Sequence, residues 1–255
     1  MNRLFAEAAP PQSSHSTLVQ VEQSLLRTVA RQGTSHTFFA PLHYEPNYAY
    51  PLVVWLHGEH GDECQLQRVM PLVSMRNYAA VGVRGPSLAS DGRGYSWPQT
   101  QAGIAAAGQR IFDAVHYARE KFHVNPQRIF VAGYECGGTM ALRMALSNPH
   151  RFAAALSVGG AFPAGQNPLS NLTRLRKFPL FIAHSRDSQA YPLDKLCEEL
   201  QLFHTAGLSV SLRQYPCGDE LTTQMLHDMD VWMMEHVTGA ASSSDSDDAL
   251  PGDCN

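Results

Sequence analysis

The apolar run Ile129–Gly133 leads without a break into Gly133-Tyr134-Glu135-Cys136-Gly137-Gly138 and then into Thr139-Met140-Ala141-Leu142. A short buried strand, a glycine-flanked turn and a helix predict a sharp elbow, its apex side chain standing alone at the mouth of the helix. Helix N–H groups there favour negative charge. Small residues two before and two after the apex let strand and helix approach. Chemistry at such an apex is nucleophilic attack on an acyl carbon by a serine or cysteine, helped by a histidine base and an oxyanion hole. The apex here is Glu135. The run ending in His57-Gly58-Glu59-His60-Gly61-Asp62 predicts a loop of the kind that offers a second N–H to the oxyanion, with Gly58 and Glu59 as its donors beside Cys136.

The elements that must hold these groups read as alternating short apolar runs and amphipathic stretches, the pattern of a mostly parallel sheet covered by helices. Strands are predicted at Thr37–Pro41, Leu52–His57, Tyr78–Val83, Ile129–Gly133, Ala153–Val158, Leu180–His184 and Val210–Tyr215. Runs such as PLVVWL are expected to be buried on both faces. Ile104, Gly108, Ile111, Val115, Ala118 and Phe122 form one helical stripe. A second helix is expected from Pro192 to a stop at Gly207, with Leu193, Leu196, Leu200 and Phe203 inward. The last carries Leu221, Met225, Met229, Trp232 and Met233 on its core face, leaving His227 outward, as His116 is on its own helix. The domain is expected over residues 17–238, between unstructured ends at 1–16 and 239–255.

Charged residues are 16% of the 255 and apolar residues 44%. The tail from residue 239, with Asp245, Asp247, Asp248 and Asp253 and no Lys or Arg, carries the whole formal charge of −4. A neutral body argues against a nucleic-acid binder working by phosphate neutralisation. No apolar run approaches the ~20 residues that span a bilayer. Five scattered cysteines without a CxxC pair fit a reduced compartment, so the cytoplasm is the expected location. No cofactor is implied. A metal site from Glu135, Asp219 and His60 has no recognised ligand spacing behind it. The partners that remain are a small-molecule ligand and a protein.

From about Thr37 to Val237 the chain resembles the phospholipase/carboxylesterase branch of the α/β-hydrolases, including small serine esterases and polyhydroxyalkanoate-depolymerase-like esterases. The residues that carry the likeness are PLVVWLHG, RIFVAGYECGG, the His184-Ser185-Arg186-Asp187-Ser188 loop with Pro192 beyond it, and Tyr215-Pro216-Cys217-Gly218-Asp219. The resemblance implies an α/β-hydrolase fold, doubly wound about a mostly parallel sheet, and carboxylic-ester hydrolysis by a Ser–Asp–His triad. It also places that triad at Glu135, Ser188 and Asp219, so that none of the three expected side chains is present. His57 and His184 match positions that anchor loops by hydrogen bonds. Residues 159–178, with Arg174, Arg176 and Lys177, are the longest candidate lid.

Substitutes for the missing groups can be named. Cys136 as a thiol would put Tyr134 where the family has a small residue, so it reads as a backbone N–H donor. Asp187 stands one residue before the acid position and would serve only if the loop bulged. His60 is the imidazole without a structural role. Haloalkane dehalogenases and epoxide hydrolases use an aspartate at this apex, but with a histidine base that is absent here. A third course for Glu135 is to place its own carboxylate in the oxyanion hole. The leading expectation is therefore a catalytically degenerate relative that binds a small acyl or carbonyl ligand, or a protein partner, in the old cleft. The alternative is an active carboxylic-ester hydrolase using Glu135 with Asp187 or His60, and a third reading is an interaction module built on the Ser/Asp tail. If Asp219 faces Glu135, one carboxyl should be pushed up or a cation recruited.

Overall fold

The computed structural model describes residues 35–170 and 172–239; the expected end 1–16, all of the expected end 239–255 but Gly239, and residues 17–34 lie outside them. The chain runs through β1 (His36–Phe39), β2 (Tyr50–Leu56), α1 (Gln65–Val73), β3 (Ala79–Val83), the short β4 (Ser87–Leu88) and β5 (Tyr95–Ser96), and α2 (Gln101–Lys121). It continues through β6 (Val124–Tyr134), α3 (Cys136–Ser147), β7 (Ala154–Val158), α4 (Leu172–Leu175), β8 (Pro179–Ser185), α5 (Leu193–Thr205), β9 (Ser209–Tyr215) and α6 (Thr223–Thr238). Seven strands form one sheet in the order β1-β3-β2-β6-β7-β8-β9, parallel except for β1, which pairs antiparallel with β3. All seven strand expectations coincide with observed strands of that sheet.

Why the sheet is covered on both faces is visible along β2, whose every residue is buried. Leu52, Val54 and Leu56 face one core with Ile111 and Ala114 of α2, Leu142 of α3 and Phe203 of α5. Val53 and Trp55 face the other, with Leu66 and Met70 of α1 and Met225 and Trp232 of α6. Period-two alternation thus sends apolar side chains to helices on opposite sides. Thr100 caps α2 by accepting from the Gly103 N–H at 3.1 Å, and Thr222 caps α6 through the Met225 N–H at 3.3 Å.

Three details differ from the sequence expectation. Leu221 lies ahead of α6, which opens at the Thr222 cap. Helix α1 and the β4–β5 hairpin were not anticipated, because Pro71 sits inside α1 and the hairpin strands have two residues each. On α5 the buried stripe is Leu196, Glu199 and Phe203, while Leu193 is 45% exposed. Steps of three and four residues place Glu199 between Leu196 and Phe203. Its carboxylate is accommodated there because it accepts the Phe162 N–H at 2.8 Å and the Tyr191 hydroxyl. Among the described residues no helix is long and apolar enough to cross a membrane.

Candidate functional site

The predicted elbow forms between β6 and α3. Glu135 has φ 47° and ψ −119°, a conformation rare for a residue with a side chain and costing about 1–3 kcal/mol. Close approach pins it from both sides. A Cβ on Gly137 would run into the carbonyls of Leu56 and His57, and one on Gly133 into the backbone of Gly137. Gly160, just past β7, sits equally close to the Glu135 carbonyl.

The Glu135 side chain turns back toward the β2 loop. Its Oε2 accepts the Glu59 N–H at 3.2 Å, and a Cβ on Gly58 would lie 2.7 Å from that oxygen. Glu59 N–H is the donor expected to serve the oxyanion, so the chain's own carboxylate occupies that place. Cys136 begins α3 behind the apex. Burial, followed by a contact with Glu59 and the charges of Glu59 and Glu135, pushes its thiol well above the ordinary range, so it stays protonated.

Ser188 and Asp219 meet. The Ser188 hydroxyl donates to Asp219 Oδ1, while Asp219 Oδ2 accepts the N–H groups of Gln189 at 3.1 Å and Ala190 at 3.4 Å. These bonds, the Ser188 hydroxyl first, hold the Asp219 carboxyl below the usual carboxylate range. Neither a raised carboxyl at Asp219 nor a recruited cation is therefore required, which corrects the expectation of a repelling Glu135–Asp219 pair. Tyr134 bridges the two halves of the site: its hydroxyl donates to the Asp219 carbonyl at 3.0 Å. Burial, then the neighbouring Glu135, Asp219 and Glu220 carboxylates, pushes its pKa above that of an ordinary tyrosine, so the hydroxyl keeps its proton. Asp219→Asn should lower the melting temperature by the equivalent of about 1 kcal/mol, since the neutral amide loses the charge that strengthens the bonds from Ser188, Gln189 and Ala190 and turns its N–H toward the Ser188 hydroxyl, which must reverse to accept it. The carboxyl is depressed in the fold, so this difference is present above the unfolded value near 3.9 and lost as pH falls through the folded value. Thermal unfolding of both chains across pH 7 to 3 measures it, and a higher melting temperature for the variant at neutral pH would restore the repulsion picture.

The other residues singled out in the sequence sit apart from this group. His60 Nδ1 lies 3.1 Å from Asp91 Oδ1 and 3.2 Å from the Arg93 carbonyl, held by the β4–β5 hairpin and half exposed. Asp187 is 66% exposed, its carboxylate 3.9 Å from Arg186 and its N–H on the Cys217 carbonyl. His57 is fully buried, donating from Nδ1 to the Gly58 carbonyl at 2.7 Å and accepting the Gly85 N–H on Nε2 at 2.9 Å. It braces the Gly58–Glu59 turn in the neutral form. His184 Nε2 donates to the Tyr191 carbonyl at 2.8 Å. Among the described residues no group of three or more His, Cys, Asp and Glu side chains is placed to hold a metal ion.

His57 has a measurable consequence. Burial lowers its pKa below 6.5, outweighing the Gly58 carbonyl and the nearby acids. The unfolded chain binds a proton there over a pH range in which the fold does not. Stability is complete above about 6.5 and falls with pH down to the folded value. Urea midpoints measured from pH 7.5 to 5 should decline, and the slope should be shallower in His57→Asn. An equal slope in both would place the loss elsewhere.

Reasoning from sequence missed Arg143 and Glu199, which fix the segment after β7. Arg143, 1% exposed, donates from Nε to Gln99 Oε1 at 2.7 Å and from its terminal nitrogens to the carbonyls of Ala164 at 2.7 Å and Gly165 at 3.1 Å. A single arginine inside the apolar run TMALRMAL was the available clue. Beside it, Thr139 donates to the Ala161 carbonyl at 2.8 Å.

An elbow between parallel strand and helix, a histidine-braced loop facing it and two further loops converging from β8 and β9 define the α/β-hydrolase architecture. Residues 47–237 match the Phospholipase/Carboxylesterase family, and the chain belongs to that family. It is 22% identical over 121 residues to the carboxylesterase SOBER1 of Arabidopsis thaliana, covering 47% of this chain and 53% of that protein. The chain spans about half the length of the curated relatives it matches. Among solved structures it is similar to a Bacillus cereus carboxylesterase, with TM-score 0.65, 18% identity, and coverage of 79% of this chain and 93% of that one. It is likewise similar to Zea mays acyl-protein thioesterase 2, with TM-score 0.65, 14% identity, and coverage of 80% and 99%. At these identities the likeness is one of fold.

Proposed function

We propose that this protein is a non-hydrolytic member of the phospholipase/carboxylesterase family that acts by binding rather than by cleaving esters. One observation carries the reading: the Glu135 carboxylate accepts the Glu59 N–H that an acyl oxyanion would need. A substrate carbonyl entering the elbow meets a full negative charge instead of a vacant donor. Three further facts support it. The Asp219 carboxylate is spent on Ser188 and two N–H groups, the Cys136 thiol is held protonated, and among the described residues no imidazole is bonded to Glu135, Ser188 or Asp219. Loss of a whole triad lowers turnover by roughly 10⁶, and the 10³–10⁴ that an oxyanion hole and binding alone retain over water requires that hole to be free. The hydrolytic alternative needs Asp187 or His60 beside Glu135, and both are engaged elsewhere.

The test is direct. The purified protein should not be labelled by a fluorophosphonate and should turn over short nitrophenyl esters at the background rate. Robust turnover abolished by Glu135→Gln would replace this reading with a carboxylate nucleophile. Turnover abolished by Cys136→Ala would replace it with a thiol.

A further inference from the structure

A cavity of about 470 Å³ lies away from the elbow. It lies between the segment after β7 and the outer face of α5, with Phe162, Pro163, Pro168 and Leu169 on one wall and Leu202 on the other. None of Glu135, Ser188 and Asp219 lines it. Its volume falls in the range of small-molecule sites, and its walls are mainly apolar. The β7-side wall is held in place from behind. Glu199 takes the Phe162 N–H, and Arg143 takes the carbonyls of Ala164 and Gly165, so closing the space would break bonds made by two buried charged side chains.

A second cavity of about 290 Å³ is lined by Thr173, Arg176, Thr205 and Ala206. Thr205 and Ala206 follow Leu202 by three and four residues, so both cavities open on one face of the α5 end. The two spaces therefore lie end to end along α5, one apolar and one carrying a cation. Charge is arranged in the same sense. Residues 159–178 contain Arg174, Arg176 and Lys177 and no acid. Among the described residues none of the three is ion-paired, and all are exposed. Glu198, one turn before Leu202, stands at the apolar end. The carbonyls at the end of α5 oppose an anion near Thr205, but the full charge of Arg176 in the cavity wall outweighs a fraction of one charge.

We infer that this groove is a binding site for a single-chain amphiphile with an anionic head, a medium- to long-chain carboxylate, with the chain between Leu169 and Leu202 and the head at Arg176. Arg176 supplies a two-pronged donor for a carboxylate and Thr173 a hydroxyl. Thr205 donates its proton to the Gln201 carbonyl at 2.8 Å and serves as wall only. The site is separate from the elbow, so it stands or falls independently of whether the elbow hydrolyses esters.

Calorimetric titration of the full chain with hexanoate, octanoate and decanoate, each below its aggregation concentration, tests the inference. Saturable one-to-one binding should tighten by up to about fourfold per methylene. Leu202→Glu, at a position already 39% exposed and so compatible with folding, should weaken decanoate at least tenfold. Arg176→Glu should weaken decanoate by a similar factor while leaving decanol unchanged, which separates head from tail. Absence of saturable binding, or equal affinity in the Leu202 variant, overturns the inference. So does loss of decanoate binding in Glu135→Gln with none in Leu202→Glu, which would put the ligand at the elbow. Sedimentation with phosphatidylglycerol vesicles but no binding of monomeric decanoate would assign the patch to a membrane surface and overturn it as well.

Discussion

The triple substitution Glu135→Ser, Ser188→Asp, Asp219→His is expected to hydrolyse short acyl esters at least ~100-fold faster than any of its three single variants. The geometry supplies the reasons. Removing the Glu135 carboxylate frees the Glu59 N–H for an oxyanion. Positions 188 and 219 are already within hydrogen-bonding reach, since the Ser188 hydroxyl donates to Asp219. A carboxylate at 188 would accept a hydrogen bond from the N–H of an imidazole at 219 and so set its tautomer. The N–H groups of Gln189 and Ala190, now on Asp219, stand ready beside it. Each single change fails for a different cause. Serine at the apex lacks a base, and histidine at 219 lacks an orienting acid. Aspartate at 188 adds a second carboxylate beside Asp219. Nitrophenyl butyrate turnover and fluorophosphonate labelling of the introduced serine measure the result. A folded triple variant as inert as its parent would mean that the cleft cannot admit an acyl group even with its chemistry restored.

Gly137→Ala should be strongly destabilising. Its Cβ would overlap the carbonyls of Leu56 and His57, which belong to the end of β2 and cannot move without pulling β2 from β6. Overpacking against backbone rather than a flexible side chain leaves no cheap relaxation, so the loss should be at least about 3 kcal/mol, enough to unfold a marginal domain. Gly218→Ala provides the contrast. Nothing lies within 4 Å of the added atom, and stability should change by under about 0.5 kcal/mol. Denaturant midpoints of the two variants decide it, and a Gly137→Ala chain as stable as the parent would show that the elbow is looser than this packing implies.

The strands and the elbow were legible in the residues because the information they need is local. Runs such as PLVVWL, RIFVAG and LFIAH are long enough to cross a buried sheet and bounded by turn residues, and Gly133, Gly137 and Gly138 mark where backbone must touch backbone. The apex and the loops carrying Gly58, Glu59, Ser188 and Asp219 could be placed through the resemblance to the family, whose motifs fall in the same order here. What side chains do at the end of a strand is another matter. Whether the Glu135 carboxylate faces solvent or the Glu59 N–H depends on how far the β2 loop reaches over β6, a contact between residues 76 positions apart. Asp219 was open to reading as a repelled charge until the β8 and β9 loops brought it onto Ser188, 31 positions away. Arg143 and Glu199 carry polar heads into faces that periodicity assigns to apolar residues, and only the folded segment after β7 provides the carbonyls and N–H that make their burial tolerable. Apolar burial is non-directional and follows from pattern alone. A hydrogen bond needs its partner at a fixed distance and angle, and only the tertiary structure sets those.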